Sequence, residues 1–374
     1  MHIKPFATEQ FFSLYEFTTP HLLCASDCET LTIAELLQTS GMPAADLLDL
    51  RLGYTESQGN PALRSAVAAL YQAITAGEVV MLGAPEEGIY LTMRALLEPG
   101  DHVVVQSPAY DSLLNLAEHA GGNVSRWEIR PEAGLWALDL DELDQIMKAE
   151  TRLVVVNFPH NPTGYLPALS EFEALIEAVR RRGAWLLCDE MYRGLERDPA
   201  DRLPSAADRY ERAIVLSGLS KTHGLPGLRA GWLIIHDATL REAIINWKHY
   251  TTISAAGPSE ALAGAALLAH EALIERSRSI IAANLAAAEE FFARHADRFE
   301  WRPPQAGSVA LVGLNVPSAT TYCHALAREA GVLLLPGPCL GADDHSVRFG
   351  FGRKGFKAAL TGYERFLGRG KPAR

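Results

Sequence analysis

Short apolar segments alternate with amphipathic segments along most of the chain. Six apolar runs bounded by turn residues predict strands, at residues 79–82, 102–106, 153–158, 185–188, 213–216 and 231–235. Between some of these strands, apolar residues recur every three to four positions, which predicts helices over residues 87–97, 141–148 and 171–182. Strands that alternate with helices in this way are typical of an α/β fold, in which helices flank a mostly parallel sheet.

The last third of the chain has a different pattern. Alanine-rich sequence over residues 255–294 predicts one or two long helices, and strands alternate with short helices after Trp301. A chain of 374 residues suits one large domain together with a smaller one. We therefore expect an N-terminal arm (residues 1–45), a large domain (46–255) and a smaller α+β domain (256–374) that the arm joins.

Composition and charge narrow the function classes. A net charge of −11 argues against a surface for nucleic acid or anionic membranes, because such surfaces need clustered lysine and arginine. No segment approaches the about 18 apolar residues that span a bilayer, and the N-terminus lacks the apolar centre of a signal peptide. The five cysteines are dispersed and lack zinc-type spacing, which predicts reduced thiols and no metal site. These features together predict a cytoplasmic enzyme.

The most informative chemistry lies in residues 220–229 (SKTHGLPGLR). Lys221 follows the predicted strand 213–216, and Arg229 comes eight residues later, just before the predicted strand 231–235. A lysine amine can form a Schiff base with an aldehyde, and an arginine fork can bind a phosphate. The pattern therefore predicts a site for a phosphorylated cofactor that carries an aldehyde.

Polar residues also follow two other predicted strands. Asn161 lies in an NPTG turn after strand 153–158, and Asp189 with Tyr192 follows strand 185–188. An aspartate at the end of a buried strand needs a partner, and a protonated pyridine nitrogen would supply one. Asn161 and Tyr192 are placed to share a ring hydroxyl, although Asn161 in isolation is more typical of an ordinary turn.

Three further positions complete the candidate site. Residues 84–86 (Ala84, Pro85 and Glu86) join a strand to a helix, where backbone N–H groups and the helix dipole can receive a phosphate, although Pro85 also suits plain helix initiation. Tyr110 follows the strand 102–106 and is placed to stack on a flat ring. Arg348 lies between apolar residues on a predicted strand, where a substrate carboxylate would compensate its charge.

These motifs resemble a known family. Over about residues 50–367, the chain resembles fold-type I pyridoxal-phosphate enzymes of the class I/II aminotransferase superfamily, and the GYTESQG segment at residues 53–59 adds to the likeness. The resemblance implies the aminotransferase fold type I and pyridoxal 5′-phosphate as cofactor. It also implies a homodimer with shared active sites, because the residue that matches Tyr54 reaches the phosphate bound by the other subunit.

The resemblance also implies roles for single residues. Lys221 would bind the cofactor covalently and move the proton at the substrate's Cα, while Asp189 would pair with the pyridine nitrogen. Asn161 and Tyr192 would bind the ring oxygen, and Tyr110 would stack on the ring. Ser220 and Arg229 would bind the phosphate. Arg348 would bind the α-carboxylate of the substrate.

The sequence departs from the family pattern at two places. Gly218 stands where the family usually has a serine, three residues before the lysine. The phosphate cup is usually rich in glycine and serine, whereas here it reads Ala84-Pro85-Glu86. Pro85 has no N–H to donate, and Glu86 would repel an anion unless its side chain points away.

The reaction type has three alternatives. Transamination of an L-α-amino acid is the commonest outcome on this scaffold and is the first expectation. Residues 152–164 and 219–232 also resemble cyclising enzymes of the capreomycidine and enduracididine synthase type, which eliminate a hydroxyl from an oxidised arginine and close a ring. Glu9 and Asp27 in the arm would then pair with the guanidinium, as Glu16 and Glu29 also could, although Asp27 equally suits a helix cap near Leu31. The third alternative is a regulatory homologue without catalysis.

Overall fold

The N-terminal arm and the segment after it are mostly helical. In the computed structural model, which describes residues 3–369, helix α1 (Ala7–Tyr15) precedes the short strand β1 (His21–Leu22). Three short helices follow, α2 (Ile33–Ser40), α3 (Ala44–Leu48) and α4 (Pro61–Ala68). Residues 1, 2 and 370–374, at the ends of the predicted arm and small domain, lie outside the described residues.

Residues 79–248 alternate between strands and helices. The strands are β2 (Val79–Leu82), β3 (His102–Ser107), β4 (Asn123–Glu128), β5 (Arg130–Glu132), β6 (Leu135–Ala137), β7 (Thr151–Asn157), β8 (Trp185–Asp189), β9 (Ala213–Gly218) and β10 (Gly231–Ile235). The helices are α5 (Pro85–Leu96), α6 (Asp111–His119), α7 (Leu140–Ile146), α8 (Leu169–Arg182) and α9 (Ala238–Lys248).

Seven of these strands form the central sheet, in the order β2-β10-β9-β8-β7-β3-β4. The pairs from β9 to β4 are parallel, and β10 runs antiparallel to both of its neighbours. Every residue of β3 and β8 is buried, because helices cover both faces of the sheet. All six predicted strands are present in this sheet, and the predicted α/β fold is confirmed.

Strand β4 is the member of the sheet that the apolar pattern missed. It lies at the sheet edge, and Trp127 is its one fully covered residue while Asn123 and Arg126 are exposed. An edge strand with a wet face carries no continuous apolar run, so no apolar pattern predicted it.

The C-terminal third forms a second, smaller α+β unit. It contains helices α10 (Gly257–Leu268) and α11 (His270–Arg294), strands β11 (Phe299–Glu300) and β12 (Val309–Leu314), helix α12 (Ala319–Ala330), strands β13 (Val332–Leu333), β14 (Leu335–Pro336) and β15 (Ser346–Gly350), and helix α13 (Phe356–Arg369). Strands β11, β12, β15 and β14 form an antiparallel sheet, and β1 of the arm pairs with β13. The alanine-rich segment thus folds as two helices.

Hydrophobic contacts pass from one unit to the other along α11. Leu262 in α10 and Leu273 in α11 pack in the cluster that also holds strand residues of the central sheet. Ile281 and Leu285, further along α11, pack in the cluster of the small unit together with Phe11 of the arm. The predicted division at residue 256 stays a prediction, and α10 contacts the large unit. Within residues 3–369, no helix has both the length and the apolar character needed to cross a membrane.

Candidate active site

A cavity of about 190 Å3 lies at the carboxyl ends of β8 and β9. Parallel strands bring their carboxyl ends to one edge of a sheet, and ligands bind there in open α/β folds. Of the residues that the sequence predicted, the cavity is lined by Glu9, Pro85, Glu86, Tyr110, Asn161, Asp189, Tyr192, Ser220, Lys221 and Arg229. Four predicted residues lie outside the lining, namely Tyr54, Ala84, Asp27 and Arg348.

Lys221 directs its amine into this cavity. Its Nζ donates a hydrogen bond of 2.8 Å to Ser26 Oγ. Burial lowers the pKa of Lys221, while the carboxylate of Asp27 acts in the opposite direction and Arg348 adds to the lowering. A lower pKa leaves more of the amine neutral at a given pH, and the neutral amine is the nucleophilic form.

Ser26 is a site residue that the sequence did not predict. The Ser308 hydroxyl donates a 2.5 Å hydrogen bond to the backbone oxygen of Ser26, and the Tyr192 hydroxyl also bonds with the Ser26 side chain. The arm can lie this deep because residue 350 is glycine: a Cβ at Gly350 would lie 1.9 Å from the Ala25 oxygen. Ser26 and Lys221 are 195 positions apart, and no local signal relates them.

Asp189 occupies the buried end of β8. Its Oδ1 accepts a 3.0 Å hydrogen bond from the backbone N–H of Met191, and Asn157 donates to its backbone oxygen at 2.8 Å. Burial raises the pKa of Asp189 to about 7, although the nearby Lys221 amine lowers it. Within residues 3–369, no cation forms an ion pair with Asp189, so a cationic group in the cavity would stabilise its carboxylate.

Asn161 is held on both sides. Its backbone N–H donates to Asn157 Oδ1 at 2.7 Å, and its own Oδ1 accepts from Arg348 Nη1 at 3.1 Å. Asn157 is the second supporting residue that the sequence missed, because a polar residue inside a predicted strand did not stand out. The side chain of Asn161 therefore faces the cavity in a fixed position.

Arg348 lies behind Asn161 and is only 1% exposed. Its guanidinium donates to the backbone oxygen of Cys24 at 2.9 Å and lies 5.9 Å from the ring of Phe12. These hydrogen-bond acceptors are neutral, and no carboxylate of the described chain forms an ion pair with Arg348. A buried cation without an anion is costly, so this position suits the carboxylate of a ligand.

The N-terminus of α5 forms one wall of the cavity. Ala84 is the extended residue before the helix, and Pro85 is its first residue. Glu86 does not point away: it lines the cavity and accepts a 3.2 Å hydrogen bond from Ser112 Oγ. Burial raises the pKa of Glu86 to about 7, and the carboxylate of Glu9 raises it further.

The turn between β9 and β10 supplies groups for an anion. Ser220 Oγ is buried and has no hydrogen-bond partner among the described residues. Arg229 is exposed at the cavity wall, has a φ of 48° and donates to the oxygen of Pro226 at 3.0 Å. Non-glycine residues rarely adopt a positive φ, and such strain concentrates at functional sites. An unpaired hydroxyl beside an arginine and a helix N-terminus fits the phosphate of pyridoxal phosphate.

The acidic residues of the arm have different surroundings. Asp27 bonds to Arg353 Nη2 at 2.5 Å, and the helix cap near Leu31 is Thr32 rather than Asp27. Burial raises the pKa of Glu16, and the carboxylates of Glu9 and Asp27 raise it further. These three carboxylates therefore lie close to one another and to Lys221, whereas Glu29 accepts a bond from the backbone of Lys354.

Comparison with known proteins shows the family of this chain. The family model described as aminotransferase class I and II matches residues 22–359. Capreomycidine synthase from Streptomyces vinaceus is 34% identical, over 79% of this chain and 75% of that enzyme. Arginine–pyruvate transaminase AruH from Pseudomonas aeruginosa is 31% identical, over 57% of this chain and 55% of that enzyme.

Two solved structures superpose over nearly the whole chain. A PLP-dependent aminotransferase from Streptococcus suis has a TM-score of 0.92 at 28% identity and covers 100% of both chains. The PLP-dependent cyclase OrfR has a TM-score of 0.91 at 30% identity, and covers 99% of this chain and 98% of its own. The chain therefore belongs to the class I and II aminotransferase family, and it is an enzyme that depends on pyridoxal phosphate.

Proposed function

We propose that this enzyme removes the α-proton of an L-α-amino acid with a cationic side chain and transfers its amino group to a 2-oxo acid. The observation that carries the proposal is that Lys221 and Asp189 line one cavity, while Arg348 lies directly behind its wall and donates a hydrogen bond to Asn161 of the lining. The family and its relatives show that the protein is an enzyme, which excludes a regulatory homologue without catalysis.

Each residue has a task that its surroundings support. Lys221 binds the cofactor covalently and then moves the proton at Cα, for which its lowered pKa is favourable. Asp189 keeps the ring nitrogen protonated, because its buried carboxylate forms no ion pair with another described residue and needs a cationic partner. Ser220 and Arg229 bind the phosphate, and Tyr110 lies against the ring. Bound pyridoxal phosphate supplies an electron sink for the charge that proton removal leaves at Cα.

The substrate is recognised at both of its ends. Arg348 binds the α-carboxylate, because it is buried and has only neutral acceptors around it. Glu9, which lines the cavity, binds the cationic side chain together with Glu16. The carboxylates of Glu9 and Asp27 lie close enough to Glu16 to raise its pKa together with burial, and a bound cation would relieve this repulsion. Asp27 contributes to the same negative field, although it is already paired with Arg353. A guanidinium suits such a group of carboxylates because it donates several hydrogen bonds in a plane.

Elimination and cyclisation of a hydroxylated arginine is the second candidate. The similarity to capreomycidine synthase and to the cyclase OrfR favours it, and it uses the same carboxylates for the guanidinium. Both candidates begin with the same proton transfer by Lys221. They differ in the later steps of the reaction: transamination needs an amino acceptor, whereas elimination removes water from the substrate itself.

Mass spectrometry of products separates the two candidates. The cofactor-loaded enzyme is given arginine, hydroxylated arginines and other amino acids, each with and without a 2-oxo acid. We expect a 2-oxo acid that forms only with acceptor present, and we expect cationic substrates to react faster than neutral ones. A product that forms without acceptor and has lost one water would establish the cyclase instead. If no product forms either with or without the 2-oxo acid, both candidates are contradicted.

We also propose that the enzyme is a homodimer with shared active sites. Tyr54 is 92% exposed and lies outside the cavity of its own chain. It belongs to an exposed apolar patch whose two segments are joined by the 2.8 Å hydrogen bond from Thr55 to the oxygen of Ala255. The other exposed large apolar side chains of these two segments are Leu48, Leu52, Tyr250 and Ile253. A patch of this kind indicates an interface, and a second copy would bring its own Tyr54 to the cavity.

Mixed dimers test the shared site. Tyr54→Ala and Lys221→Ala subunits are each expected to have little activity alone. After the two are unfolded together and refolded at equal amounts, one site of each mixed dimer combines the intact Lys221 with the intact Tyr54. About a quarter of all sites, and hence of the activity, should return. If mixing restores nothing while both variants form dimers, Tyr54 does not serve the partner's site.

A further inference from the structure

The carboxyl group of Glu86 stands where an anion is expected to bind. It lies in the first turn of α5 and lines the cavity together with Ser220 and Arg229. Pro85, directly before it, has no N–H to donate to a phosphate. The loss of a backbone donor from the cup is thus accompanied by an added acidic side chain.

The groups that face Glu86 come from four elements. Glu9 of α1 and Asp189 of β8 are acidic, and Arg229 is the cation on the turn before β10. Ser112 in α6 donates a hydrogen bond to it, and the Tyr110 hydroxyl is within bonding reach. An ionised Glu86 would therefore add a third carboxylate to a site where one arginine has to bind a doubly charged phosphate.

We propose that Glu86 takes up one proton from solvent when the phosphate of the cofactor binds, so that the bound state contains the neutral carboxylic acid. The proposal rests on the placement of the phosphate at Ser220, Arg229 and the N-terminus of α5. A neutral carboxyl group has an O–H to donate, which replaces the N–H that Pro85 lacks. No bond other than this O–H forms or breaks.

The sign of the pH effect depends on the surroundings of Glu86. Its pKa is about 7 because of burial and the charge of Glu9, so near neutral pH the free protein is partly protonated at this position. The negative charge of a bound phosphate raises this pKa further. Below the pKa of the free protein both states carry the proton, and affinity does not depend on Glu86. Above it, binding requires proton uptake, and affinity falls by up to about tenfold per pH unit.

Calorimetric titration of the cofactor-free protein measures the proton directly. Pyridoxal phosphate is titrated into wild type and Glu86→Gln at about pH 8 in two buffers of different ionisation enthalpy, from which proton uptake is calculated. We expect uptake by the wild type to exceed that of Glu86→Gln by up to about one proton. We also expect the variant to bind more tightly than wild type at this pH and to approach it at about pH 6. Glu9→Gln, which removes a neighbouring carboxylate and keeps Glu86, should retain the uptake.

Two controls keep the outcome decisive. Pyridoxal, which has no phosphate, should show no difference in proton uptake between wild type and Glu86→Gln. If Glu86→Gln fails to fold, Ser112→Ala serves instead: it removes a hydrogen bond that lowers the pKa of Glu86, so the pH window of proton uptake should move upward. Equal uptake by wild type and Glu86→Gln, with cofactor bound by both, would overturn the proposal. If wild type bound pyridoxal as tightly as pyridoxal phosphate, that would instead contradict the phosphate placement itself.

Discussion

Replacing Lys221 by alanine should remove both the covalent attachment of the cofactor and turnover. Loss of the proton transfer alone lowers the rate by about 10²–10⁴-fold, and loss of covalent attachment lowers it further. After borohydride reduction and denaturation, the wild-type chain should retain the mass of the cofactor, and the Lys221→Ala chain should not. Among the described residues the amine donates its hydrogen bond to the neutral Ser26 hydroxyl and forms no ion pair, so the substitution breaks no salt bridge.

A surface lysine provides the matched control for this experiment. Lys357 is exposed on α13, and Lys357→Ala should keep both the cofactor mass and the wild-type rate. Thermal unfolding of both variants checks that each is folded. Turnover close to wild type in a folded Lys221→Ala protein would contradict the role of this residue in both candidate reactions.

The sequence predicted those site residues that follow strands. Lys221, Asp189 and Asn161 were predictable because parallel strands bring their carboxyl ends to one edge, whatever the rest of the chain does. Ser26 was not predictable, since its place depends on the arm crossing the small unit beside Gly350. The direction of the Glu86 side chain was open for a related reason: the first turn of a helix allows a side chain to face either the cavity or solvent.

The fold shows the same division between local and distant signals. Strands with buried faces, such as β3 and β8, have an apolar sequence that identifies them. The edge strand β4 does not, and the antiparallel direction of β10 depends on a connection rather than on composition. Arg348 stood out because a cation within an apolar strand is costly, and the structure places it among neutral acceptors.

Replacing Asp189 by asparagine should change activity and stability in opposite directions. The variant keeps the side-chain oxygen that accepts from Met191 but loses the charge that holds the ring nitrogen as a cation. Removal of one such electrostatic partner costs about 10²–10³-fold in rate. In the cofactor-free protein, however, that same charge is buried without an ion-pair partner among the described residues and is unfavourable.

The stability effect depends on pH in a defined way. Burial raises the pKa of Asp189 to about 7 in the folded protein, far above its value in the unfolded chain. Between about pH 4 and pH 7 the Asp189 carboxyl group is therefore ionised in the unfolded chain but still protonated in the folded protein. This difference lowers the free energy of unfolding as pH rises towards 7, by on the order of 4 kcal/mol. Cofactor-free Asp189→Asn should thus melt higher than wild type at about pH 8, and the difference should shrink at about pH 4.

Both parts of this prediction have one control. Asp201 is exposed, and Asp201→Asn should leave the rate and the melting temperature at both pH values unchanged. A full rate in Asp189→Asn would show that the ring nitrogen needs no carboxylate partner. A melting temperature that is unchanged at alkaline pH would show that the carboxyl group is not buried as an ion before the cofactor binds. The expected pair of results, a slower enzyme and a more stable cofactor-free chain, would show that Asp189 is retained for its partner in the cavity, because the fold is more stable without its charge.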